Sequence, residues 1–206
     1  MGDIRVGTAS WTDRTLIASG WYPHPVDIPA KRLRFYAQHF PLVEMDASYY
    51  ALPAERTATL WAERTPPGFT FNVKAFSLFT GHPTRVAALP ADLRRAVEAL
   101  GKDNVYLKDV PAEVTGQAWD RFLAALAPLR HADKLGAILL QFPPWFAITR
   151  ANKDYLLACA RRAAPSQVCV EFRNHTWLAE RNREETLEFL SAHQLPFVRG
   201  HAARIP

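Results

Sequence analysis

The sequence has no long apolar segment and no recognisable leader at its start. No apolar run approaches the roughly 20 residues that an α-helix needs to cross a bilayer. Residues 1–5 lack the charged and apolar regions of a signal peptide. We therefore predict a cytoplasmic protein without membrane contact.

Cysteine and the common catalytic motifs are also scarce. Cys159 and Cys169 are the two cysteines, and their spacing fits neither a disulfide framework nor a CxxC site, so we expect both to be small core residues. The chain contains no GxxxxGK(S/T), GxGxxG, HExxH or GxSxG motif. The enzyme classes that depend on these motifs are disfavoured, and scattered histidines argue against a multi-zinc site.

The composition that remains is that of an ordinary globular domain. The 206 residues are 49% hydrophobic and 22% charged, which is enough for one sizeable core. A net charge of +5 and a pI near 9.4 favour anionic partners such as phosphate or nucleic acid. Because 19 of the 25 basic residues are Arg and they are scattered along the chain, the charge is equally consistent with a compositional bias of the genome.

Strand-like runs alternate with helical patterns along nearly the whole chain, which is typical of parallel α/β folds. Six such runs occur, at residues 4–11, 42–46, 69–75, 136–142, 167–173 and 195–198. The stretch 76–86 contains Gly81 and Pro83 and is predicted to be a loop. A doubly wound sheet would show the same alternation, but the polar residues at the strand ends favour a TIM-type (β/α) barrel.

Paired polar residues late in these strands predict a functional site. Alternate residues of a strand share a face, so the members of each pair point the same way. The pairs are Glu44 with Asp46, Asn72 with Lys74, and Glu171 with Arg173, while Gln141 and Ser10 end two further strands. Opposite charges can neutralise one another in a ring at the C-terminal mouth of a barrel, where the active sites of that fold lie.

This ring is open to more than one interpretation. We take Glu44, Asp46, Lys74 and Glu171 as catalytic candidates. A salt-bridged plug without a ligand would contain the same charges. Mg²⁺ is conceivable at Glu44, Asp46 and Glu171 because hard cations take oxygen ligands, although no cofactor is required by the pattern.

Aromatic residues and two histidines fall on the loops after the strands. Flat rings beside cations suit stacking with a base or a sugar, although the same rings can simply cover the barrel as core. His82 and His175 could act as general acid or base near neutral pH. The substrate-binding candidates are Ser10, Trp11, Tyr50, His82, Gln141, Arg173 and Trp177.

Taken in order, several segments resemble the YecE-like family, catalogued as domain of unknown function 72. They are residues 7–11, 21–23, 43–50 with Pro53, 65–66 followed by 69–74, 140–144, and 170–173 with Trp177. The resemblance runs from residue 4 to about residue 198. It implies a TIM-type barrel with the motif residues at the C-terminal mouth, and it implies no settled activity.

The sequence departs from the family pattern in two ways. Asn174 stands where the family commonly has His, and His175 follows one place later. Six strand-like runs are present, whereas a closed barrel needs eight and typically about 250 residues. We therefore expect residues 1–206 to form a single incomplete barrel, as a fragment, a shortened reading frame or a module completed by a partner, with open edges that favour self-association.

Two functional hypotheses follow. The first is a hydrolase or lyase acting on a phosphorylated or nucleic-acid ligand, in which Lys74 and Arg173 bind phosphate and Glu44 or Glu171 is the general base. In it Asp46 orients a partner group. The second is a non-catalytic binder of single-stranded nucleic acid. A truncated barrel without activity is the third possibility.

Overall fold

A five-stranded parallel sheet organises the chain in the computed structural model, which describes residues 4–200. Its strands are β1 (Gly7–Ala9), β2 (Leu42–Met45), β3 (Thr70–Lys74), β6 (Leu135–Phe142) and β7 (Gln167–Phe172). The remaining two strands, β4 (Thr84–Arg85) and β5 (Asn104–Val105), form a separate antiparallel pair. The α/β class predicted from the alternation is confirmed.

Helices connect the strands of the sheet. They are α1 (Arg14–Ala18), α2 (Pro29–His39), α3 (Ala47–Tyr50), α4 (Glu55–Glu63), α5 (Ala91–Glu98), α6 (Ala112–His131), α7 (Arg150–Ala163) and α8 (Glu180–Ala192). Thr149 caps α7 as its sequence suggests, since its hydroxyl accepts the N–H of Asn152. No helix within residues 4–200 is both long enough and apolar enough to cross a membrane.

The strand order is β1-β2-β3-β6-β7, so neighbours in the sheet follow chain order without a reversal. A doubly wound sheet would reverse direction at a switch point, and this one does not. Within residues 4–200, however, β1 and β7 do not pair, and no closed barrel is formed. The sixth predicted strand is reduced to a single parallel bridge between Val170 and Phe197.

Two further predictions need correction. The first strand is much shorter than residues 4–11, because Ser10 has φ of 72° and turns the chain out of the extended conformation. The predicted loop 76–86 contains a turn of 3₁₀ helix at Ser77–Thr80 and then β4. Its residues 76–80 are buried, so this connection is part of the packed interior.

One face of the sheet, called here the outer face, packs against the helices and forms the hydrophobic core with them. Alternate strand residues such as Val43, Phe71 and Ile138 are fully buried there. Tyr36 of α2 fastens this layer: its hydroxyl accepts the N–H of Thr8 at 2.7 Å and donates to the carbonyl of Leu42 at 3.0 Å. One phenol thus joins the first two strands to their covering helix.

A β-bulge between β3 and β6 sets the orientation of the second half of the sheet. Phe71 lies opposite Leu135, but Val73 lies opposite Ile138, so β6 carries one extra residue. The side chain of Asn72 fills the gap by accepting the N–H of Ala137 at 3.0 Å. Without the extra residue, every later side chain of β6 would face the opposite side of the sheet.

Candidate functional site

The inner face of the sheet, which carries Glu44, Asn72, Lys74, Gln141 and Glu171, holds the charges that the sequence pairs. The register places Glu44 opposite Asn72 and Gln141 opposite Glu171. These side chains are brought to one face because they alternate with the buried outer residues of the same strands.

One cluster forms at the ends of β2 and β3. Asp46 begins α3, and its Oδ1 lies 3.6 Å from the Nζ of Lys74, which is largely buried. The same ammonium group lies 4.9 Å from the centre of the Tyr49 ring, a cation–π distance. Lys74 is therefore held between a carboxylate and an aromatic face, with its charge directed at the strand ends.

A second cluster forms on β6 and β7. Glu171 is only 5% exposed, and its Oε2 accepts a hydrogen bond from the Nε2 of Gln141 at 2.7 Å. The Nε of Arg173 lies 2.8 Å from Oε1, but no donor among residues 4–200 meets Oε1 in hydrogen-bonding geometry. The buried Oε1 of Glu171 therefore has an ion-pair partner but accepts no hydrogen bond.

Gly200 lies against this carboxylate. A Cβ at that position would stand 2.3 Å from the Oε1 of Glu171 and within 3.7 Å of the Arg173 guanidinium carbon. Only glycine fits such a close approach. The backbone after the Phe197 bridge therefore covers part of the Glu171 and Arg173 pair, a contact that the strand pattern does not predict.

Glu44 is the carboxyl group best suited to hold a proton. Its pKa is raised chiefly by burial and then by the negative charge of Asp46, while the ammonium of Lys74 opposes both. The charge of Glu171, on the far side of β3 and β6, raises it further. The charges of Asp46 and Glu171 thus both raise the pKa of Glu44.

The thiol of Cys169 belongs to this face as well. Burial, followed by the charges of Glu44 and Glu171, raises the pKa of Cys169 to about 11. Cys159 is a buried core residue, as predicted. The expectation of a core role is incomplete for Cys169, because its place in β7 puts its sulfur beside the two carboxylates.

His82 lies between the two charged clusters. Its Nδ1 is 2.9 Å from the hydroxyl of Thr80, and its ring stands 5.3 Å from Tyr49 and 6.0 Å from Trp145 between ring centres. Burial first, and then the positive charges of Lys74 and Arg173, lower the pKa of His82 to about 4. The imidazole is neutral at pH 7, while His175 lies exposed after β7.

Trp11 and Trp177, two of the predicted substrate-binding residues, do not reach the site. The Trp11 ring is buried, packs edge-on against Trp61 and donates to the carbonyl of Pro29. Trp177 is fully buried against Phe172 and donates to the carbonyl of Phe146. Both tryptophans are core residues, which is the alternative that the sequence left open for these rings.

Ser10 is used by the backbone. Its N–H donates to the carbonyl of Glu44, and its hydroxyl bonds with Thr12. It therefore shapes the turn that ends β1 beside Glu44. Tyr50 remains exposed at the edge of the cluster, with its ring 5.0 Å from Tyr49.

Tyr49 and Thr80 are functional candidates that the strand pattern does not select. Each follows a strand by several residues, and only the turns after β2 and β3 bring them to Lys74 and His82. The one signal in the sequence for Tyr49 is that Tyr49 and Tyr50 closely follow the pair Glu44 and Asp46.

The three candidate carboxylates differ in what they contact. Within residues 4–200 no group of three or more His, Cys, Asp or Glu side chains is close enough to hold a metal ion. Asp46 is paired with Lys74, and Glu171 contacts Gln141 and Arg173.

Comparison with known proteins identifies relatives of greater length. The chain is 33% identical over 189 residues to UPF0759 protein YunF of Bacillus subtilis, covering 92% of this chain and 57% of YunF. A DUF72 family structure from Enterococcus faecalis matches with a TM-score of 0.66 at 25% identity, over 94% of this chain and 61% of that one. A DUF72 family structure from Thermotoga maritima matches with a TM-score of 0.59 at 28% identity, over 94% and 63%.

The chain thus spans about three fifths of the length of these relatives. The family described as "Protein of unknown function DUF72" matches residues 5–204, which is nearly the whole sequence. The resemblance seen in the motifs is confirmed, and the chain belongs to the DUF72 family.

Proposed function

We propose that the inner face of the sheet is the mouth of a TIM-type barrel and that it binds and cleaves a phosphate ester, as a hydrolase or lyase. Two features support the barrel: all five strands of the sheet are parallel, and their order follows the chain.

The convergence of Lys74 and Arg173 on His82, beside a carboxyl group of raised pKa, carries the proposal. Both cations lower the pKa of the same imidazole although they come from β3 and β7. An anion placed between them gains two charge-assisted interactions. Neutral His82 adds a hydrogen-bonding group that carries no competing charge.

Each remaining group then has a role. Glu44 exchanges a proton with the attacking or departing oxygen, since its pKa lies nearer to neutrality than that of an ordinary Glu. Asp46 positions Lys74. Glu171, fixed by Gln141 and Arg173, positions the guanidinium.

The experiment combines binding and turnover on the whole chain. Inorganic phosphate and a panel of phosphate mono- and diesters are tested by thermal shift, and the esters also for release of alcohol or phosphate. Lys74→Met and Arg173→Met should abolish the phosphate-induced shift. Glu44→Gln should keep the shift and lose turnover by about 100-fold or more.

Lys102→Met is the matched control. Lys102 is an exposed cation that pairs with Asp109 at 2.9 Å outside the cluster, so its loss should leave phosphate binding unchanged. A phosphate shift that survives in both Lys74→Met and Arg173→Met would refute the anion site. Absence of any shift and of turnover on the whole panel would favour a salt-bridged plug in an inactive barrel.

A further inference from the structure

A row of four aromatic rings crosses the loops at the carboxyl ends of the strands. The rings belong to Tyr50, Tyr49, His82 and Trp145, and successive ring centres are 5.0, 5.3 and 6.0 Å apart. The two end members are open to solvent: Tyr50 is 70% exposed and Trp145 is 59% exposed. Contiguous exposed apolar surface often marks a ligand-binding site.

A cavity lies at each end of this row. The first, of about 470 Å³, is lined by Gly81, Tyr106, Leu107, Lys108 and Trp145. Tyr106 is itself exposed, so this cavity presents two aromatic rings and one cation. Its size is within the range of pockets that hold small organic ligands.

The second cavity, of about 650 Å³, lies on the other side of His82. It is lined by Tyr49, Tyr50, Pro83 and Arg85, together with Ser77 and small alanines. Gly81 lines the first cavity and Pro83 lines the second. His82, which lies between these two residues in the chain, therefore separates the two cavities. Each cavity therefore pairs aromatic surface with one cation, Lys108 or Arg85.

Two ion-paired cations lie near the centre of the row. Lys74 lies over the Tyr49 ring and is paired with Asp46, and its charge and that of Arg173, which is paired with Glu171, both act on His82. The row thus has two cations near its centre and an aromatic, cation-bearing cavity at either end. A ligand that matches it has an anionic group between two planar rings and further negative charge beyond them.

We infer that the aromatic row and its two cavities form a track for a single-stranded oligonucleotide, with a phosphodiester at Lys74 and Arg173 and a base in each flanking cavity. This inference rests on the proposed function and names its substrate class. Alternation of phosphate and base is the chemistry that fits cations flanked by aromatic surfaces. A duplex does not fit, because its bases are stacked and paired and cannot enter separate cavities.

The test measures binding of a labelled ten-nucleotide single strand of mixed sequence at low salt by fluorescence anisotropy. The same sequence as a duplex and a nucleoside monophosphate are the comparison ligands. We expect the single strand to bind at least tenfold more tightly than either. Its affinity should fall steeply with added salt, since each phosphate contact releases counterions.

Two variants test the ends of the row. Trp145→Ala and Tyr50→Ala should each weaken single-strand binding by roughly 5- to 150-fold, which is the effect of losing one base–aromatic stack. Trp145→Phe should retain most of the affinity because a ring remains. Leu187→Ala removes an apolar side chain of α8 that is 48% exposed and lies outside the row, and it should leave single-strand affinity unchanged.

The outcomes separate the two proposals. If phosphate still shifts the melting temperature through Lys74 but the single strand binds no better than the nucleoside monophosphate, the track is refuted and the phosphate site stands. Equal binding of the duplex, or full affinity in both Trp145→Ala and Tyr50→Ala, also refutes the track. Ring-dependent binding of the strand without cleavage of any ester would keep the track and refute the catalytic proposal.

Discussion

Gly136→Ala probes the bulge that decides which face of β6 meets the site. A Cβ at Gly136 would stand 2.4 Å from the Oδ1 of Asn72 and 2.5 Å from the Cγ2 of Thr70. Both distances are far shorter than van der Waals contact, and Asn72 cannot retreat without losing the N–H of Ala137, which it accepts at 3.0 Å.

The magnitude follows from these two effects. Overpacking a tight site costs about 1–3 kcal/mol. Losing the hydrogen bond to Ala137 adds about 0.5–1.5 kcal/mol. We expect Gly136→Ala to lower the free energy of unfolding by about 2–4 kcal/mol, measured by urea denaturation followed through tryptophan fluorescence.

Gly116→Ala is the matched control. Gly116 lies inside α6, and the nearest atom to its Cβ would be the Nη2 of Arg162 at 4.0 Å. The same substitution should there raise the free energy of unfolding by about 0.5–1 kcal/mol, because Ala has the higher helix propensity. The two glycines therefore predict opposite signs for one chemical change.

A double-mutant cycle isolates the contact. In an Asn72→Ala background the Oδ1 atom is gone, so Gly136→Ala should cost less than in the parent by about 1 kcal/mol or more. Equal costs in the two backgrounds, or a cost below about 0.5 kcal/mol in the parent, would refute the assignment of the bulge to this pair of residues.

Three further predictions concern the core and the site. Glu44→Gln should stabilise the protein at pH 7, because the pKa of Glu44 is raised in the folded protein. The stability that protonated Glu44 contributes is complete below the unfolded pKa near 4.5 and is lost as the pH rises through the folded pKa. The urea midpoints of variant and parent should therefore converge at pH 4. Trp11→Ala should cost about 3–5 kcal/mol in urea unfolding, since it empties a core position, whereas a surface stacking residue would cost under about 1 kcal/mol. Tyr36→Phe should cost about 1–3 kcal/mol by thermal or urea unfolding because it deprives Thr8 and Leu42 of a buried partner, and an unchanged stability would show that this hydroxyl is dispensable.

Local pattern was sufficient to predict most elements of the sheet. The apolar, β-branched runs of β2, β3, β6 and β7 are confirmed to within a few residues. The pairs Glu44 with Asp46 and Glu171 with Arg173 could be assigned to one side of their strands, since side-chain alternation is a property of any extended backbone. The strand β5, only two residues long, has too short a pattern to detect.

The position of Gln141 shows where local pattern fails. Its polarity and its place at the strand end suggested a mouth residue, but simple alternation from the start of β6 would have turned it toward the helices. The extra residue at the Asn72 bulge restores it to the inner face, where it donates to Glu171. A bulge depends on two strands together, so neither strand's sequence contains it.

The sequence by itself determined the family, the α/β class and the identity of the charges at the strand ends, because these depend on residue types and their spacing. Only the tertiary structure decided which aromatic rings are free. Trp11 and Trp177 follow strands just as Tyr50 and Trp145 do, yet the first two are buried and the last two exposed. Burial depends on what the rest of the chain packs against each ring, which spacing along one strand does not specify.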